Sequence, residues 1–169
     1  MATTGEGAKR STVVDSSVLI NFLGLSKLDL LTSLPNREFK IVPEVNREIR
    51  RHRTAMEAAI QTGGLRQVES MIASDLALFA RLTHRISSAD ASCIIAAKAV
   101  GADLAADDRV CRRFAAGELS EQRLPGTEWL LLETVQAGLI TMEEGDRVLN
   151  DLVTLKYRPK VQSLRDLDP

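Results

Sequence analysis

The chain has 169 residues, of which 44% are hydrophobic and 27% charged. It is long enough for one domain with a substantial core, and this composition excludes a disordered chain. The formal net charge of -1 excludes a strongly basic overall field, so contact with nucleic acid would need locally clustered cations. Neither a signal-peptide pattern nor an apolar run of membrane-spanning length is found. We therefore expect a cytoplasmic protein without membrane association, in which Cys93 and Cys111 are reduced and buried.

The first element in chain order is a short strand that runs into a helix. Val13 and Val14 form the core of the predicted strand. Ser16 or Ser17 is then expected to cap a helix that reaches about Leu23. This strand-to-helix junction contains an acidic residue, which we consider below.

The next segments predict further helices around a second strand. "SKLDLLTSLP" indicates a short helix, capped by Ser26 and ended by Pro35. "FKIV" is typical of a strand, and Pro43 suits the first turn of the helix that follows it. That helix is predicted over residues 44–61, where "TGG" ends it.

The remainder of the chain continues the alternation. "LRQVES" predicts a third short strand before a helix over residues 74–83. Ser87 or Ser88 caps the helix "ASCIIAAKAV", which Gly101 ends before a fourth strand, "ADLAA". "GTEWLLLETVQAGLI" and "TMEEGDRVLNDLVTL" predict two more helices, the second capped by Thr141.

Strands that alternate with helices predict an α/β fold, in which helices cover both faces of a central parallel sheet. The domain is expected over residues 11–156, with a flexible tail at 1–10 and an irregular tail at 157–169. In open parallel sheets, ligands bind beyond the carboxyl ends of the strands. That edge is therefore where functional residues should be sought.

Several acidic residues follow predicted strands or lie near the starts of predicted helices, and both positions face that edge. They are Asp15, Glu44, Glu48, Asp90, Asp107 and Asp108. Singly, each has a structural explanation as a cap or a partner of the helix dipole, worth less than about 1 kcal/mol. Together, their carboxylates would repel one another unless a cation neutralised them. An oxygen-only ligand set favours Mg²⁺ or Mn²⁺, and such ions support phosphodiester hydrolysis by an activated water.

Four segments of the chain resemble, in order and spacing, the PIN-domain family of metal-dependent ribonucleases. They are "VVDSSVLI", "VPEVNREI", "SSADASCIIAAKAVGADLAADDRVCRR" and "GTEWLLLETVQAGLI". The resemblance covers roughly residues 12–150 and implies a three-layer α/β/α sandwich. The family includes the toxins of many bacterial and archaeal toxin-antitoxin pairs.

Carried over to this chain, the resemblance implies which acids are catalytic and hold the metal. The first falls on Asp15, the second on Glu48, which precedes an aliphatic residue, and the third on Asp90. Glu44 is the less favoured alternative for the second. Ser17 matches the small polar residue that often accompanies the first acid, and it is included among the expected substrate contacts.

The fourth acid of the family falls on Asp108 or Asp107. It normally follows a Thr or Ser by two positions, but Ala106 occupies that place if Asp108 is the acid. The choice between the two aspartates therefore stays open at this point. A hydrogen bond that would orient the carboxylate is also missing from the pattern.

Arginines close to these acids are expected to bind the phosphates of a nucleic-acid strand, since such contacts fix register without reading sequence. Arg51, Arg109 and Arg112 are the predicted contacts. The resulting hypothesis is a Mg²⁺- or Mn²⁺-dependent endoribonuclease for single-stranded RNA, acting as a toxin that a small antitoxin neutralises and forming a homodimer. The alternatives are an inactive nucleic-acid-binding module of the same fold, and an interaction protein that uses the apolar surface around Trp129.

Overall fold

The computed structural model describes residues 8–167 and contains one parallel four-stranded sheet. Its strands are β1 (Arg10–Val14), β2 (Arg37–Ile41), β3 (Leu65–Gln67) and β4 (Asp103–Ala105). Their order across the sheet is β3-β2-β1-β4, so β1 lies between β2 and β4. Residues 1–7 of the predicted N-terminal tail lie outside the described residues, and β1 already begins at Arg10.

Helices flank this sheet and produce the predicted three-layer α/β/α architecture. They are α1 (Ser16–Gly24), α2 (Leu28–Thr32), α3 (Pro43–Glu48), α4 (Arg53–Gln61), α5 (Leu76–Thr83), α6 (Ser88–Val100), α7 (Arg109–Glu118), α8 (Thr127–Gln136) and α9 (Met142–Thr154). Single 3₁₀ turns cover Ile72–Asp75, Glu121–Arg123 and Leu164–Leu167. Among residues 8–167, no helix has both the length and the apolar composition needed to cross a bilayer.

The strands β1 and β4 contain apolar runs because both lie in the core. Val13, Val14 and Leu104 are completely buried, as expected for strands covered on both faces. Helix α6 packs against both strands, and nearly all of its residues up to Ala97 are buried. This helix therefore carries its first-turn residues to the carboxyl edge of the sheet.

Two predicted helix caps are wrong. Helix α1 is capped by Asp15, rather than Ser16 or Ser17, because the Asp15 carboxylate accepts a hydrogen bond from the Ser17 amide. For α2, Ser26 has a φ of 55° and does not cap. Lys27 occupies the N-cap position without a side-chain hydrogen bond. In both cases a neighbouring residue takes the position that the serine was expected to hold.

The helix predicted over residues 44–61 is also wrong, because it is divided into α3 and α4. His52 adopts a left-handed conformation with a φ of 61°, which interrupts the helical hydrogen bonds. The break frees the carbonyl of Asn46, and Arg53 Nη1 donates to it at 2.9 Å. The change of direction allows Ile49 and Met56 both to be buried.

Other predicted helix ends are confirmed. Ser87 caps α6 by accepting from the Asp90 amide at 3.0 Å, and Gly101 ends it with a φ of 66°. Thr141 caps α9 in a capping box. Helix α5 begins at Leu76, slightly later than the predicted start at Ser74. Its N-cap is Asp75, whose carboxylate accepts a hydrogen bond from the Leu78 amide.

A buried arginine connects α8 to the sheet. Arg37, at the start of β2, is 4% exposed. Its guanidinium donates two hydrogen bonds of 2.6 Å to Glu133 on α8. It also donates to Thr12 at 2.8 Å and to Asp103 at 3.0 Å. A buried cation held by two carboxylates fixes the amino ends of the central strands against α8.

The segment after α9 packs against the domain instead of extending away from it. Leu164 is completely buried, and its amide donates to Asp146 at 2.8 Å. The Ser163 hydroxyl donates to the same carboxylate, and the Lys160 amide donates to Glu128. Residues 157–167 thus cover part of α8 and α9, although the sequence predicted a tail there.

Candidate metal centre

Asp15 lies where β1 ends and α1 begins, and its side chain is 1% exposed. One carboxylate oxygen, Oδ2, accepts from the Ser17 hydroxyl at 2.7 Å and from the Ser17 amide at 3.3 Å. The other oxygen, Oδ1, is buried and has no hydrogen-bond partner in the described part of the chain. A buried oxygen of this kind is costly unless something compensates it, and a cation would do so.

Asp90 approaches Asp15 from the first turn of α6. Burial, followed by the negative charges of Asp15 and Asp108, raises the pKa of Asp90 to about 6. Carboxylate oxygens of Asp15 and Asp90 and the Sγ atom of Cys111 lie within 4.8 Å of one another. This crowding of buried acids is relieved when a divalent cation binds between them. The oxygen donors and the unpartnered Oδ1 therefore fit a metal ion.

Cys111 is part of this cluster, although sequence reasoning treated it only as a buried thiol. Burial and the charges of Asp15 and Asp90 raise the pKa of the Cys111 thiol well above its usual range, so it stays neutral. Mg²⁺ and Mn²⁺ prefer oxygen ligands to a neutral thiol. We interpret Cys111 as a wall of the site. Its position three residues after Asp108, in the first helical turn, was the signal that could have placed it there.

The two adjacent aspartates after β4 have different surroundings. Both oxygens of Asp107 accept hydrogen bonds, from the Thr127 amide and hydroxyl at 2.9 and 2.6 Å and from Asn21 at 2.9 Å. Asp108 is exposed and caps α7 through the Cys111 amide at 2.8 Å. Because both carboxylate oxygens of Asp107 are occupied by hydrogen bonds, these contacts favour Asp108 over Asp107 as a metal ligand.

Glu48 is exposed at the end of α3 and points towards the start of α1. The Ser16 hydroxyl donates to Glu48 Oε2 at 2.9 Å, which holds this carboxylate at the start of α1, the helix that Asp15 caps. No sequence pattern indicated this role for Ser16, because the contact joins residues 32 positions apart.

Glu44, the alternative acid on α3, is buried and its carboxylate is already satisfied. Ser92 donates to it at 2.8 Å and Ser70 at 2.9 Å. Burial acts to raise the pKa of Glu44, but the bonds from Ser92 and Ser70 and the charge of Arg47 hold it below its usual value. These contacts join α3 to α6, so they favour a structural role for Glu44, and the prediction that Glu48 is the metal ligand on α3 stays a prediction.

An open cleft of about 380 Å³ lies beside Glu48. Arg47 and Arg50 line it together with the start of α6. Arg51, the predicted substrate contact, is exposed but does not line this cleft. By position, Arg47 and Arg50 are the better placed cations on this side of the acidic cluster.

The remaining predicted substrate contacts, Arg109, Arg112 and Ser17, differ in their surroundings. Arg109 is exposed directly after Asp108. Arg112 instead donates from Nη1 to the carbonyls of Ala106 and Leu124, at 2.8 and 2.7 Å, and so holds the loop before α8. The Ser17 hydroxyl donates to Asp15 and accepts from the Asp107 amide at 3.0 Å. Ser17 therefore orients Asp15 and the backbone of Asp107, and its predicted contact with substrate stays a prediction.

Comparisons with known proteins agree with the fold. A family model described as a PIN domain, DUF3368, matches residues 11–167. Among solved structures, the chain is similar to the crystal structure of PAE2754 from Pyrobaculum aerophilum, with a TM-score of 0.52 and 17% sequence identity. That match covers 79% of this chain and 96% of the other. No functionally curated protein matches the chain.

Proposed function

The chain belongs to the PIN-domain family, and we propose that it is a Mg²⁺- or Mn²⁺-dependent endoribonuclease that cleaves single-stranded RNA. Two observations carry this proposal: Oδ1 of Asp15 is buried and unpartnered, and a carboxylate oxygen of Asp15 lies within 4.8 Å of one of Asp90. A carboxylate pair that served only the fold would have its oxygens hydrogen-bonded, as those of Glu44 and Asp107 are.

The roles of the chain's own residues follow from their contacts. Asp15 and Asp90 form the centre of the proposed ligand set, because their carboxylate oxygens lie within 4.8 Å of each other. We propose that the exposed Glu48 and Asp108 complete it. Ser17 holds Asp15 in place. When bound there, a divalent ion supplies Lewis-acid activation of water and of a phosphodiester.

Arginines near the acidic cluster support the substrate part of the proposal, which is the binding of single-stranded RNA. Arg47 and Arg50 can contact phosphates on the Glu48 side of the cluster, and Arg109 can do so on the Asp108 side. An open cleft with two arginines beside Glu48, and a third arginine next to Asp108, suits an extended single strand. The proposal of RNA rather than DNA as the substrate rests on the family resemblance, so cleavage of both nucleic acids must be tested.

The decisive experiment combines cleavage with metal binding. Wild type should cleave a labelled single-stranded RNA with Mn²⁺ and not with EDTA. Asp15→Asn should lower the rate by more than about 100-fold, the upper end of the loss expected for an outer-shell metal partner. Asp151→Asn removes an exposed carboxylate on α9 and should cleave normally. The corresponding DNA tests the choice of RNA.

Two outcomes contradict the proposal. If wild type retains RNA on a filter but does not cut it with either metal, the chain is a binding module of the same fold. If cleavage persists unchanged in Asp15→Asn, the activity belongs to another site or to a contaminant. Isothermal titration of Mn²⁺ into both proteins separates loss of metal binding from loss of folding.

A toxin role within a toxin-antitoxin pair is a finer proposal, supported by the family resemblance alone. Induced expression of the wild type should arrest bacterial growth, whereas Asp15→Asn should not. Co-expression of a neighbouring gene that encodes a small protein should restore growth if that protein is the antitoxin. The antitoxin and the homodimer both stay predictions. Normal growth at high levels of soluble wild type would contradict the toxin role.

A further inference from the structure

A second cavity, of about 560 Å³, extends from Asp107, which follows β4, to Arg37 at the start of β2. It is lined by residues from the start of α7, from the loop between α7 and α8, and from the chain after α9. Its volume falls within the range of sites that bind small organic groups. Asp107 and Arg109 both line it, and these residues flank Asp108 of the acidic cluster. One end of the cavity is therefore formed by the two residues that flank Asp108 in the chain.

The lining of this cavity has a cation excess that the chain as a whole lacks. Six cations line it: Arg10, Arg37, Arg109, Arg112, Arg158 and Lys160. Three carboxylates line it: Asp107, Glu121 and Glu128. The formal net charge of the whole chain is -1. This local excess favours an anionic ligand.

Three of the six cations are available to such a ligand. Arg109, Arg158 and Lys160 are exposed and make no ion pair with any carboxylate of residues 8–167. We refer to these three as the cavity cations. Arg37, by contrast, is fully engaged by Glu133 and its neighbours.

Aromatic side chains provide a second kind of contact. Trp129 and Tyr157, the only tryptophan and the only tyrosine of the chain, both line this cavity. Trp129 is 41% exposed, and its indole nitrogen donates to Glu133 Oε1 at 3.0 Å, which fixes the ring. Burial, together with the charges of Asp107 and Glu128, raises the pKa of Tyr157, so its phenol stays neutral. An aromatic surface beside free cations suits a nucleobase and its phosphate.

We propose that this cavity binds one nucleotide of the RNA strand next to the bond that is cut, with the base against Trp129 and the phosphate beside the cavity cations. The inference rests on the proposed ribonuclease function and adds a specific substrate position to it. Binding there would fix the register of the strand across Asp108 and the acidic cluster. It does not require a bound metal ion, so it can be tested in EDTA.

Intrinsic fluorescence tests the proposal directly, because Trp129 is the only tryptophan. Hexauridylate, titrated in EDTA, should quench this fluorescence in a saturable way, and the effect should weaken as salt is raised. The double variant Arg158→Ala/Lys160→Ala should bind the hexamer at least about tenfold more weakly. Arg66→Ala removes an exposed arginine at the opposite edge of the sheet and should bind like wild type.

Base and phosphate contributions can be separated with modified probes. An abasic hexamer keeps the charge but lacks the bases, and should bind at least about fivefold more weakly than hexauridylate. Uridine monophosphate should bind far more weakly than the hexamer. Equal affinity for the mononucleotide would identify a free nucleotide as the ligand and overturn the proposal. Equal quenching by polyglutamate would overturn it in favour of an acidic protein partner.

Failure of this inference is distinguishable from failure of the proposed function. If the hexamer is cut with Mn²⁺ but neither quenches Trp129 nor binds less tightly to the double variant, the cavity proposal is wrong and the ribonuclease stands. If the hexamer quenches Trp129 in EDTA but is never cut with Mn²⁺, binding of the strand in the cavity stands, whereas the ribonuclease function and the placement beside a cut bond are wrong.

Discussion

Replacement of Asp90 by asparagine should make the metal-free protein more stable at neutral pH. The pKa of Asp90 is about 6 in the fold, against an ordinary value of 3.8. A raised carboxyl pKa means that the folded state holds its proton more tightly than the unfolded state. The stability associated with this group is therefore present at low pH and is lost as pH rises from about 3.8 to 6.

The size of the effect follows from this difference in pKa. At pH 7 the ionised Asp90 costs at most about 3 kcal/mol of unfolding free energy, and at pH 4.5 about 1 kcal/mol. Solvent screening lowers both figures because the carboxylate is partly exposed. Asp90→Asn removes the charge, so we expect a gain of about 1 to 3 kcal/mol at pH 7 and a much smaller gain at pH 4.5.

Urea unfolding in EDTA at both pH values measures this gain, and Asp151→Asn serves as the matched control on an exposed carboxylate. Addition of Mn²⁺ should reverse the order of stability. Wild type would gain about 4.1 kcal/mol at a thousandfold excess over the dissociation constant, whereas the variant would gain little. A variant that is less stable than wild type in EDTA at both pH values would refute the reasoning, because Asp90 would then contribute favourable contacts instead of repulsion.

Two further predictions concern the scaffold of the site and are checked by the same urea unfolding. Arg37→Met should lower the free energy of unfolding by about 3–5 kcal/mol, because Glu133 would keep a buried charge without its partner; a loss below about 1 kcal/mol would contradict this. Gly126→Ala places a Cβ atom 2.8 Å from Asp107 Oδ1 and should cost about 1–3 kcal/mol. Gly117→Ala, inside α7 with open space around it, should instead gain up to about 1 kcal/mol. Equal stability of the two alanine variants would show that the Asp107 contact is unimportant.

Features of the fold set by local sequence could be predicted. Parallel strands follow from buried apolar runs such as that around Val13, and helix ends follow from capping residues such as Ser87, Gly101 and Thr141. In each case the determining contacts lie within a few residues along the chain. The convergence of Asp15 and Asp90 was predictable for a related reason, because strand ends and helix starts share one edge of a parallel sheet.

Features set by distant contacts could not be predicted. The break between α3 and α4 spans residues 49–52, none of which is a glycine or proline that would have indicated it, and the flanking Ile49 and Met56 are both buried. The carboxylate of Asp107 accepts hydrogen bonds from Asn21 and Thr127, which are 86 and 20 positions away along the chain. Neither contact leaves a periodic pattern in the sequence.

The missing hydroxyl at position 106 bears on whether the site is active. In the family pattern, a Thr or Ser at this place would help to orient the fourth acid, and Ala106 provides no such group. Here the α7 amide of Cys111 fixes Asp108 at 2.8 Å through the helix cap. The Ser17 hydroxyl, on a different element, holds the adjacent Asp107 amide while it donates to Asp15. Asp107 and Asp108 are therefore both held in place without a hydroxyl at position 106. Ala106 does not favour the alternative of an inactive module.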